Sequence, residues 1–79
     1  MVGKPGCHLC DAARETVTTV VAGFAPGEVE FEEKSIFDDA ELHDLYVEEI
    51  PVILINNRVH NIYRVDATRL RTALMEAIA

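Results

Sequence analysis

Lys4-Pro5-Gly6-Cys7-His8-Leu9-Cys10-Asp11 carries both cysteines of the chain, two residues apart and directly after a Pro-Gly turn dipeptide. Joined to each other, they would close a loop of only four residues. Chain entropy then supplies about 2 kcal/mol, against roughly 4 to 5 kcal/mol for a loop of a hundred residues. A stabilising staple would be placed elsewhere. In a reducing compartment such a pair is more often catalytic or metal-binding than structural.

Downstream, Ala13, Val17, Val20, Val21 and Phe24 recur at helical spacing, and Phe24-Ala25-Pro26-Gly27 ends the run. The dicysteine therefore falls on the first turn of a helix. There the unpaired backbone N–H groups and the helix dipole favour a thiolate on the leading sulfur, which makes Cys7 the candidate nucleophile. Cys10, one turn later on the same face, is placed to attack a mixed disulfide between Cys7 and a substrate. His8 when protonated, and Lys4 nearby, would favour that thiolate, while a net charge of -7 opposes both. A solvated side chain on an exposed turn is an equal reading of His8.

Upstream, Met1 to Lys4 reads as the tail of a strand. Beyond the helix, Val29 and Phe31 alternate with Glu30 and Glu32, which predicts a half-buried strand reaching about Ser35. Asp38 and Glu41 make a capping-box pattern for a second helix with Leu42, Leu45 and Tyr46 on its inner face. Pro51 stops anything helical, and Val52-Ile53-Leu54-Ile55 reads as a buried strand. Asn56-Asn57 suits a tight hairpin turn returning as a strand from Arg58 to Tyr63. Asp66 caps a last helix whose inner face includes Leu70, Ala73, Leu74, Ala77 and Ile78. The order is β-α-β-α-β-β-α, an α/β domain with a right-handed crossover and a mixed four-stranded sheet covered by helices.

Size and charge narrow the function. With 79 residues, residues 1–79 form a single domain, and 49% hydrophobic with 27% charged residues describes a globular chain. Fourteen acidic against seven basic residues leave no basic stripe for nucleic acid and no attraction to anionic membranes. The longest apolar run, Ile50 to Ile55, is far too short to span a bilayer. The N-terminus lacks the apolar stretch of a signal peptide, so a cytoplasmic location is expected.

The dicysteine segment, the helix after it, and Glu49-Ile50-Pro51-Val52 ahead of the third strand together resemble glutaredoxin-like proteins of the thioredoxin superfamily. The resemblance runs from Lys4 to the last helix. It implies a thioredoxin-like, glutaredoxin-type fold, a redox-active disulfide at Cys7 and Cys10, and a cis peptide bond at Ile50-Pro51. It also implies that the main chain of Ile50 meets a bound disulfide substrate. Substrate contacts are expected at Lys4, His8, Ile50 and Pro51. No metal or other cofactor is expected. The partners would be a disulfide-containing protein or small molecule, and a reductant such as glutathione or a thioredoxin-type reductase. Spacing alone does not predict the cis bond, since only about one X-Pro bond in twenty is cis in folded proteins. Without the dicysteine, Pro51 reads as a simple strand-entry residue.

The chain departs from that family at three places. Only Met1, Val2 and Gly3 precede the Lys-Pro-Gly-Cys stretch, so a truncated first strand is expected, from a clipped start or a lean sheet completed by another chain. Glutathione-using members carry a Thr-Val-Pro-like segment and a Gly-Gly turn where this chain has Glu49-Ile50-Pro51 and Arg64-Val65-Asp66. Glu49 is unfavourable beside an anionic tripeptide. His8-Leu9 stands where Pro-Tyr is common.

Two other readings remain open at this stage. Cys7 and Cys10 supply half of a tetrahedral metal site or part of an iron-sulfur site, completed by a second chain or by solution thiols, since His43 and His60 fall on other elements. The acidic patches Glu30-Glu32-Glu33 and Asp38-Asp39-Glu41 also suit an adaptor domain without turnover, though charge runs are usually solvated faces. Arg64, Arg69 and Arg71 are expected to be solvating, with Asp66 or Glu76 as partners.

Overall fold

The computed structural model describes residues 1–79. The elements are β1 (Val2–Gly3), α1 (His8–Ala22), β2 (Lys34–Ser35), α2 (Ala40–Tyr46), β3 (Val52–Ile55), β4 (Arg58–Ile62) and α3 (Ala67–Ile78). They appear in the expected order. The strands form one mixed sheet ordered β2-β1-β3-β4, with β1 parallel to β2 and antiparallel to β3, and β4 antiparallel to β3.

The alternation of the strands divides the apolar residues between two faces. On one face Ile53 meets Val17 and Val20 of α1 and Leu70 and Leu74 of α3, with Met1, Phe31 and Val65 packed around them. On the other, Val2, Ile36 and Val52 meet Leu42 and Tyr46 of α2. Leu70 is 1% exposed, and its burial alone stabilises the fold by roughly 1.5 to 3 kcal/mol.

Local chemistry sets the connections. Gly6 has φ 74 behind Pro5, the type II turn arrangement, and a side chain there would be strained. Asn56 and Asn57 have φ 51 and 66, as a two-residue type I′ hairpin demands. The Asp66 carboxylate accepts the Arg69 N–H at 2.9 Å and starts α3.

Five expectations are corrected. Val29 and Phe31 are half-buried between exposed Glu30 and Glu32, but the ladder of β2 holds only Lys34 and Ser35. The parallel register pairs Val2 with Lys34, and Met1 makes the last bonds, donating to the Glu32 carbonyl at 2.7 Å and accepting from the Lys34 N–H at 2.9 Å. Residues before Glu32 have no β1 residue opposite them. The first strand itself is Val2–Gly3, shorter than Met1 to Lys4 and bonded on both sides.

The cap of α2 is Asp39, not Asp38. The Asp39 carboxylate accepts from the Glu41 and Leu42 N–H groups at 2.9 and 3.3 Å, while the Asp38 N–H closes a turn onto the Ser35 carbonyl. Leu45, Ala77 and Ile78 are exposed rather than inward. In the seven-residue α2 only the Leu42–Tyr46 line reaches the sheet, and the last turn of α3 lies by the Asn56 end of the hairpin, where the sheet stops. The ion pairs also fall elsewhere. Arg14 of α1 pairs with Asp11 and with Glu33 ahead of β2, and His43 with Asp44, in place of pairs among Arg64, Arg69, Arg71, Asp66 and Glu76.

Candidate active site at Cys7 and Cys10

Cys7 is the residue that caps α1. Its backbone is extended, with φ -101 and ψ 113, and its carbonyl accepts the Asp11 N–H at 3.0 Å as the first bond of the helix. Its Sγ takes the place of a capping oxygen and accepts the Cys10 N–H at 3.2 Å. The leading sulfur therefore lies where the free amides of the helix converge. Cys7 is partly exposed, Cys10 is completely enclosed, and both are free thiols.

Burial first, and then the neighbouring Cys7, push the Cys10 thiol up from an ordinary 9.0 to about 11, against an opposing pull from the Lys4 main chain. The Cys10 N–H bond to Cys7 Sγ keeps the two residues together on one helix turn. The folded state favours the protonated thiol. Its contribution to stability is thus complete below about pH 9 and is lost as pH rises toward 11. A brief iodoacetamide pulse at pH 8, read by peptide mapping, is expected to label Cys7 and leave Cys10 almost untouched. Cys10 is enclosed, and only about one thiol in a thousand is ionised there. Equal labelling of both would show the enclosure to be wrong.

The sheet brings the second part of the site to the first. Val2 pairs with Val52 in the antiparallel β1–β3 register, so the end of β1 that leads to Lys4 and the cysteine loop lies beside the start of β3, where Ile50 and Pro51 enter it. Pro51 lies on the same face as Ile53, the side covered by α1, and is fully buried. The Ile50-Pro51 peptide is cis. On that face a Cβ built on Gly3 would lie 2.9 Å from Cys10 Sγ. Cys10 is seated on a strand position that holds no side chain. Ile50 is half-buried, while Lys4, His8 and Glu49 are exposed. The register brings Cys7, Cys10, Lys4, Ile50 and Pro51 to one end of the sheet. His8 points to solvent at that end without being drawn into the pair.

Sequence reasoning missed two participants. Gly3 carries no local signal, because its meaning depends on a sulfur seven residues away across a turn. Tyr63 bonds to both sides of the Glu49-Ile50 segment, donating its N–H to the Pro51 carbonyl and its hydroxyl to the Glu48 carbonyl, each at 2.8 Å. Nothing in an isolated Tyr marks such a role.

A polar cleft of about 330 Å³ lies beside the cysteine loop, lined by Gly3, Lys4, Pro5, Arg14, Lys34 and Asp38 among others. Neither cysteine lines it. No three His, Cys, Asp or Glu side chains are grouped so as to hold a metal ion; His43 and His60 stand on α2 and β4, apart from the cysteines.

Residues 1–75 match a family model described as glutaredoxin-like domain (DUF836). The chain belongs to this glutaredoxin-like family. A solved X-ray structure, Northeast Structural Genomics target protein XcR50 from X. campestris, is similar at 31% sequence identity, covering 95% of this chain and 92% of that one with a TM-score of 0.73. No curated protein matches the chain. The glutaredoxin-like protein has the thioredoxin-like fold expected from its sequence, a mixed four-stranded sheet with three helices. The family's description points to thiol redox chemistry, and Cys7 and Cys10 are both present to support it. No helix is long and apolar enough to cross a membrane.

Proposed function

We propose that this glutaredoxin-like protein is a cytoplasmic thiol-disulfide oxidoreductase that reduces protein or small-molecule disulfides, with Cys7 as nucleophile and Cys10 as resolving thiol. One observation carries the reading. The partly exposed Cys7 caps the helix with its sulfur and accepts the Cys10 amide proton, and Cys10 itself is enclosed one turn further on.

The exchange balances in two steps. The Cys7 thiolate attacks one sulfur of the substrate disulfide; a Cys7–substrate S–S bond forms, the substrate's own breaks, and the departing thiolate takes up a proton. Cys10 then gives up its proton and attacks Cys7 Sγ. The second substrate thiol leaves, and the protein holds a Cys7–Cys10 disulfide. Two electrons have passed to the substrate, and an external dithiol or glutathione returns them.

The main chain of Ile50, just ahead of β3 at the end of the sheet where β1 leads into the cysteine loop, serves to align an extended substrate beside Cys7, with Pro51 as its buried footing. Lys4 and His8 add positive charge at the rim. Asp11, Glu48 and Glu49 add negative charge, which favours neutral or basic substrates over the glutathione anion. A thioredoxin-type reductase therefore suits the return of electrons better than glutathione.

The test is stoichiometric. Reduced protein mixed anaerobically with an oxidised peptide is expected to release two peptide thiols per chain and to become lighter by two hydrogens, with peptide mapping locating a Cys7–Cys10 bridge. Recovery of unchanged dithiol protein beside intact peptide, after hours at neutral pH, would reject the function.

A further inference from the structure

We propose that Tyr63 is a positioning residue that holds the Glu49-Ile50 segment taut beside Cys7, so that its main chain is set to receive an extended disulfide substrate. The substrate side of this inference rests on the oxidoreductase reading above, while the clamp itself rests on geometry.

Tyr63 follows β4 and has φ 65, a left-handed conformation that is uncommon for a non-glycine residue and strained for an aromatic one. The Arg64 N–H bonds back to the Ile62 carbonyl at 2.9 Å, so Tyr63 is the middle residue of a γ-turn of the rare positive-φ kind. The Asn61 side-chain amide, donating to the Arg64 carbonyl, closes over the same turn. A glycine would take this backbone without strain. Tyr63 takes it instead, and its hydroxyl makes a bond for which glycine has no group.

The use is visible in three bonds. The Tyr63 N–H holds the Pro51 carbonyl at 2.8 Å, and the Tyr63 hydroxyl holds the Glu48 carbonyl at 2.8 Å. The peptide group joining Glu48 to Glu49 is gripped at its other end as well, because the Glu49 N–H donates to the Tyr46 carbonyl at 2.8 Å. One residue therefore anchors the chain on both sides of Ile50 and leaves Ile50 itself unbonded by the clamp. Tyr63 is 44% exposed, so little of this placement is driven by burial. Removing the hydroxyl frees one end of the segment and spares the N–H bond at the other.

The experiment is Tyr63→Phe in the full chain, read three ways. Exchange of the Glu49 amide, followed by NMR, should quicken about threefold to tenfold, in keeping with loss of one modest hydrogen bond, while the Tyr63 amide stays protected. With an oxidised peptide under reductase recycling, KM should rise by a similar factor and kcat stay within about twofold. Alkylation of Cys7 by iodoacetamide, which has no peptide backbone to align, should keep its rate. Unchanged exchange at Glu49 overturns the clamp, and quickened exchange with unchanged KM overturns its role toward substrate. Should the wild-type protein reduce no disulfide, the oxidoreductase reading fails by itself, the role toward substrate falls with it, and the exchange measurement still decides the clamp.

Discussion

Cys10→Ser will accumulate a mixed disulfide between Cys7 and its substrate, and Cys7→Ser will accumulate none. Attack requires an accessible sulfur, and only Cys7 has one; Cys10 is enclosed and holds its proton to about pH 11. Turnover in Cys7→Ser should fall by more than about a hundredfold, to the background of uncatalysed exchange. Cys10→Ser keeps the first step and loses the second, so a gel shift with an oxidised peptide should show a persistent adduct cleared by a strong reductant.

The two thiols also differ in their response to pH. Burial holds the Cys10 thiol above its ordinary range, so the rate of resolution in the wild-type protein should climb with pH, by up to about tenfold per pH unit. Rapid quenching of the mixed disulfide between pH 6 and 9 measures this directly. Equal trapping by the two variants, or a resolution rate flat across that range, would overturn the assigned roles.

Gly3→Ala is the second large effect, and it acts through the packing of Cys10. The added Cβ would meet Cys10 Sγ at 2.9 Å and Cys10 Cβ at 3.4 Å, in a part of the core where Cys10 is 0% exposed and has little room to turn. Overpacking of this kind costs about 1 to 3 kcal/mol. Removing a glycine from a strand returns roughly 0.5 to 1 kcal/mol. The clash wins. In a domain of this size each kcal/mol moves the melting temperature by about 4 to 8 °C, so a loss of about 5 to 15 °C is expected.

The cause can be separated from a general strand defect by repeating the change in Cys10→Ala, where the opposing sulfur is gone. There Gly3→Ala should cost little, giving a coupling of about 1 kcal/mol or more. An equal cost in both backgrounds would place the strain elsewhere. A displaced Cys10 should also lengthen the life of the mixed disulfide in Gly3→Ala.

Elements whose signals close within a few residues were legible before any coordinates. The apolar spacing from Ala13 to Phe24, the Asp66 cap, the Asn56-Asn57 turn and the run from Val52 to Ile55 each describe a local energy minimum, and each is found where expected. The alternation of Val29 and Phe31 was also real as burial, yet it did not make a strand, because the ladder with β1 takes in only Lys34 and Ser35. The Asp38 cap failed by one residue. Two adjacent aspartates offer the same chemistry, and the Ser35–Asp38 turn selects between them.

By itself, then, the order of residues settled which elements form, their succession and the position of both sulfurs on one helix turn. These depend on neighbours within a few bonds along the chain. Only the tertiary structure decided that Gly3 lies under Cys10, that Val2 pairs with Val52 beside Pro51, and that Tyr63 spans Glu48 to Pro51. Each of those contacts is fixed by strand register and by the packing of α1 on the sheet, where a shift of one residue would exchange every face and bring different atoms together.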